Sequence, residues 1–182
     1  FAKEQLSLVP IDTEKEVLHV TVTGEIFVVI DSFSNMEIEK ELGRMGVQVH
    51  RMLNLSDWTN NFLIPSFMRL CDTHGEKAEK FAKNFLTRDI GGDAIESVGD
   101  ASFAGTVKSD GVIHLLPFTC MPEIMSQNIL PNVVLKKDIP ILSLILDEQT
   151  GRAGLLTRLE AFVDLLERKH LSQKKIKRFA VV

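Results

Sequence analysis

The chain has 182 residues, 45% hydrophobic and 25% charged, with a net charge of −4. That is enough for one good core or two small ones, and the acidic balance argues against nucleic acid as the main partner. No run approaches the ~18 apolar residues of a membrane span, and Phe1 to Leu8 is too short, and with Lys3 and Glu4 too charged, for a signal peptide. Two cysteines without a CxxC argue against a disulfide scaffold or a self-contained zinc site, so a reducing cytoplasm is the expected compartment.

Residues 1–16 are polar, contain Pro10 and read as a lead-in segment. Val17 to Thr23 (VLHVTVT) alternates and is β-branched, which predicts a first strand. Gly24 and Glu25 break that run, and the apolar Ile26 to Ile30 follows as a strand continuation or a buried loop. Asn35 is placed to cap a helix with Glu37 and Glu39 in its first turn, where the dipole favours acids. Val47 to Arg51 is a second strand. Ser56 to Cys71 has helical spacing with a kink or break at Pro65, and Gly75 to Leu86 is a clearer helix. The turn 88–93 leads into a helix from Ala94 to Lys108, broken or bent near Gly99. Gly111 to Leu116 is a third strand, followed by a short helix from Met121 to Leu130 that Pro131 stops. Ile139 to Leu146 is a fourth strand whose unbroken apolar run suits cover on both faces. A helix from about Gly151 to His170 precedes a basic tail over 171–182.

This alternation of strands and helices is that of a doubly wound, mostly parallel four-stranded α/β sheet, flavodoxin- or Rossmann-like, with order 2-1-3-4. One domain over 17–170 follows, with its switch point between strands one and three. The loop Gly24-Glu25-Ile26 and the loop Pro117 to Met121 then face one crevice, where such sheets bind ligands. Gly24, Glu25 and Thr119 are the cofactor-side candidates of those two loops.

Cys120 in that second loop sits at the expected start of a helix, where a thiolate is favoured. It suits a metal or cluster ligand or a nucleophile, and equally a small inert core cysteine. A nucleophile needs a base, and His114 and His19 are expected toward the far ends of their strands, which weakens triad-type catalysis. Cys71, in FMRLC, reads as core packing. Gly91-Gly92-Asp93 suits either an anion-binding turn or a tight turn with an aspartate cap, and the capping chemistry is the simpler account. No GxGxxG follows the first strand and no GxxxxGK[ST] occurs, so nucleotide binding by either motif is unsupported. Asp31 and Asp147-Glu148 near strand ends could orient a metal or substrate or be solvated loop acids, and Trp58 is expected in the core.

Four strings taken together, GEIFVVIDSFSN (24–35), GGDAIESVG (91–99), DGVIHLLPFTCMPE (110–123) and IPILSLILDEQTGRAGLLTRLEAFVDLLER (139–168), resemble the C-terminal region of proteins related to the 2-hydroxyacyl-CoA dehydratases, and more closely the large CoA-substrate-specific enzyme activases of anaerobic bacteria. The resemblance covers most of residues 17–168 in order. It implies an iron–sulfur protein in which ATP hydrolysis drives an electron onto a dehydratase cluster that supports radical removal of water from a 2-hydroxyacyl-CoA. It carries the ligand role onto Cys120 alone, with the remaining ligands on other domains of a parent chain. Without ATP-binding motifs the chain is not the activase engine, and with one candidate ligand it is not a complete dehydratase. A start at Phe1 fits a piece of a longer protein. The expected function is thus one wall of an iron–sulfur and acyl-CoA site, inert in isolation. The alternatives are a regulatory or docking domain in which Cys120 is structural, and a stand-alone thiol enzyme.

Overall fold

The structure is a computed structural model and describes residues 1–10, 12, 16–63 and 73–179. Cys71 and Pro65 lie outside the described residues. Strands β1 (Leu18–Gly24), β2 (Val47–Arg51), β3 (Gly111–Pro117) and β4 (Ile141–Leu146) form one parallel sheet in the order β2-β1-β3-β4, as the alternation predicts. The described helices are α1 (Ala2–Ser7), α2 (Ile26–Ile30), α3 (Ile38–Arg44), α4 (Leu55–Leu63), α5 (His74–Ala82), α6 (Ala94–Ala104), α7 (Met121–Lys137) and α8 (Arg152–Phe179). None of them is long and apolar enough to cross a membrane. The fold is a doubly wound α/β sheet.

Two apolar layers hold it. On one face Val20, Val22, Ile113 and Leu115 pack with Val28 and Val29 of α2, Ile38 and Leu42 of α3, and Leu155, Leu159, Phe162 and Leu166 of α8. Each such aliphatic side chain contributes about 1.5–3 kcal/mol on burial. On the other face Val112 meets Ala82 of α5, Val98, Ala101 and Ala104 of α6, and Leu130 and Val133 of α7. The strands covered on both faces are the central ones, β3, buried from Gly111 to Leu116, and β1, buried from Val20 to Gly24. The apolar run of β4 instead forms an edge, with Ile145 38% exposed, because the sheet ends there.

Local structure departs from the sequence expectations in five places. Ile26 to Ile30 is a short helix, neither strand nor loop, because Glu25 caps it by accepting the Val28 N–H. Asn35 is buried and bridges two helices: its amide donates to the carbonyls of Val28 and Val29, and its oxygen accepts the Ile38 N–H at 3.4 Å. The N-cap position of α3 itself is Glu37. Helix α6 runs unbroken through Gly99, whose role is spacing: a Cβ there would lie 2.2 Å from the Ala78 carbonyl oxygen of α5. Helix α7 continues through Pro131 to Lys137; Leu130 and Val133 beside the proline are buried, and their packing offsets the roughly 3 kcal/mol a helical proline costs. Helix α8 extends past His170 to Phe179.

Candidate functional site at the carboxyl edge of the sheet

The carboxyl ends of β1 and β3 come together at Gly24. Its φ is +139°, and a Cβ would fall 1.9 Å from the Leu115 carbonyl oxygen, so the two strands can meet here only with glycine. The next N–H, of Glu25, donates to that same oxygen at 3.0 Å. The Glu25 carboxylate then accepts the Val28 N–H, while Asp93 accepts the Ile26 N–H at 2.9 Å and a hydrogen bond from Trp58. Two acids therefore converge on the first turn of α2. Asp93 caps this distant helix rather than its own α6, whose N-cap side-chain bond is missing. The expected aspartate cap is real chemistry at a different target.

Cys120 is the N-cap residue of α7, half-buried and free of any disulfide. Its N–H donates to the Pro117 carbonyl at 3.1 Å, and its carbonyl accepts the Ile124 N–H at 3.0 Å. Burial pushes its thiol above the ordinary value, the Glu123 N–H opposes this, and the charges of Glu123, Glu25 and Asp93 add to the rise. The helix terminus alone would favour a thiolate; burial and three carboxylates outweigh it. Thr119 is exposed beside it, as are Phe118 at 63% and Met121 at 67%.

His114 does not sit at the far end of its strand from α7. Its Nε2 lies 2.6 Å from Glu123 Oε2, both residues are fully buried, and its Nδ1 is 3.2 Å from Ser143 Oγ on β4. Ser97 of α6 donates to the other Glu123 oxygen at 3.0 Å. A second buried chain runs alongside: Thr23 donates to Asp100 at 2.7 Å, and His74 Nε2 lies 3.0 Å from the other Asp100 oxygen. The Asp100 contact raises the His74 pKa, burial raises that of Asp100, and burial pushes Glu96 up to about 7. Sequence reasoning missed both chains. The available signals were Cys-x-x-Glu, which has capping-box spacing, and a histidine inside an otherwise apolar strand.

The remaining acids close local turns. Asp31 accepts both the N–H and the hydroxyl of Ser34, which holds its carboxyl below the usual range, and Asp147 accepts from Gln149 and Thr150. Beyond Pro117, a crevice of about 630 Å³ opens between Phe27, Phe33, Leu146 and Arg152. Arg152 is already engaged by Glu41. Among the described residues no three His, Cys, Asp or Glu side chains gather as a metal site. Cys120 is thus a single thiol among the described residues, where an ordinary cluster takes four thiolates. His19 stacks on His50 at the other end of β1 and is remote in the sheet from the Cys120 loop. The chain matches no protein-family model, and a search of the curated proteins finds no match.

Proposed function

We propose that this chain is a dehydratase-subunit-like domain of a larger cytoplasmic protein related to the 2-hydroxyacyl-CoA dehydratases and CoA-substrate-specific activases. In this reading it forms one wall of a site for an iron–sulfur cluster and an acyl-CoA. Cys120 supplies a single ligand with Thr119 beside it, Gly24 and Glu25 line the facing loop, and other domains of the parent chain supply the rest. The four sequence strings support the family. The observation that carries the site is the position of Cys120: a half-buried thiol at the switch point, on a loop with exposed apolar neighbours, where a second body can close over it. Cluster binding would replace the thiol proton, as thiolate ligation requires.

The test is anoxic reconstitution with iron and sulfide of a longer chain that includes the upstream region. Cys120→Ala is expected to lower bound iron and sulfide severalfold, while the isolated domain holds little. A full cluster in the Cys120→Ala long form would sink the ligand role. The raised thiol pKa favours a second reading, a docking domain with a structural cysteine. That reading expects unchanged cluster content in the same variant. It shares with the first the expectation that iodoacetamide modifies Cys120 slowly at pH 7. Rapid modification there would support a thiol enzyme instead.

A further inference from the structure

Taking the Cys120 loop as the site, we infer that Glu123, held by His114, is the positioning residue that fixes where the Cys120 sulfur points. Cys120, Met121, Pro122 and Glu123 occupy the N-cap, N1, N2 and N3 positions of α7. In a capping box the N3 acid returns to the N-cap N–H. Here the Cys120 N–H is already given to Pro117, so the Glu123 carboxylate turns into the core. One of its oxygens meets His114 on β3 and the other meets Ser97 on α6, while His114 is held in turn by Ser143 on β4. Three elements therefore grip the first turn of α7. This anchored residue lies three positions after the cysteine, on the same first turn of α7. The backbone that carries the thiol is thus set from one side by the Pro117 turn and from the other by the turn that Glu123 anchors.

A buried pair is weak evidence of a stabilising role, since buried ionisable partners can often be replaced together by well-packed apolar groups without loss. The rest of α7 is also docked independently, through Leu130, Val133 and the Ser126 hydroxyl bonded to the Ala94 carbonyl. Releasing Glu123 should free the first turn and leave the helix in place.

The experiment attaches a methanethiosulfonate nitroxide to Cys120 in this chain, with Cys71→Ser removing the other thiol, and records the EPR line shape. The parent and Glu123→Gln should give one slowly tumbling component, because glutamine keeps a hydrogen-bonding oxygen for His114. Glu123→Leu should add a fast component that carries most of the signal while circular dichroism stays unchanged. His114→Gln, which leaves α7 itself untouched, should loosen the label in the same direction. An unchanged spectrum in folded Glu123→Leu and His114→Gln overturns the inference. Loss of fold in both variants overturns it too, by making the pair structural. Iron retained by the Cys120→Ala long form overturns the ligand role and leaves this result standing.

Discussion

The layer of α2, α3 and α8 and the layer of α5, α6 and α7 cover the same sheet by different means. The first presents branched and aromatic side chains, Ile38, Leu42, Leu159, Phe162 and Leu166, and its buried contacts with β1 and β3 are apolar. The second presents alanines and Val98 over a seam of buried Asp100, Ser97, Glu123 and His114. Small residues let α5 and α6 approach closely, as Gly99 against Ala78 shows. That leaves the polar chains to fix register. Apolar packing is tolerant of direction, whereas hydrogen bonds are not. The difference teaches that one layer is stabilised by apolar burial, while the other also depends on directional polar bonds that fix placement, on the side where the Cys120 loop starts.

The largest expected effect tests the polar seam. Asp100→Ala strands His74 and Thr23 and should cost about 3–5 kcal/mol in urea unfolding, as breaking a buried ion pair does. Leu159→Ala, fully buried in the apolar layer, should cost about 2–5 kcal/mol through its cavity. If Leu159→Ala proves harmless, the division of labour between the layers fails.

Titration separates the layers next. The folded pKa of Glu96 is about 7 against its ordinary 4.5, so between those values the folded chain keeps a proton that the unfolded chain has lost. Stability from this group therefore falls as pH rises through that window. The raised pKa of His74 acts in the same direction: its stabilisation is present below 6.5 and is lost as pH climbs through the folded value. Urea midpoints should be higher at pH 5 than at pH 8, and Glu96→Gln should remove roughly 2 kcal/mol of that difference after solvent screening. A midpoint that rises from pH 5 to pH 8 in the parent and not in Glu96→Gln would contradict the sign. The smallest effect is Asp93→Ala, which uncaps α2 and should cost ~1 kcal/mol by thermal melting.

The sheet order was legible because each strand is a compact apolar or alternating run separated by helical spacing, and Cys120 was placed at the switch point by topology alone. What escaped was chemistry between distant segments. Ile26 to Ile30 is too short to show helical periodicity, and half of its capping comes from Asp93, 67 residues away. Pro131 reads locally as a stop, yet buried neighbours carry α7 past it. His114 lies six residues before Cys120 along the chain, but its partner Glu123 lies beyond the cysteine, where α7 turns back over β3. Spacing along the chain says little about pairs that a tertiary crossing creates.

Helix α8 has 28 residues and so runs about 42 Å, roughly twice the ~20 Å of the six-residue β4 before it. Its ties to the body reach His170, which meets Asp110 and Glu16, and the side chains of Leu171, Ser172 and Gln173 are exposed. The helix is thus a beam that outruns the strand before it and is pinned to the body by Leu155, Leu159, Phe162, Leu166 and His170. Amide hydrogens should record that pinning, with slow exchange over the turns that carry Leu155 to Leu166.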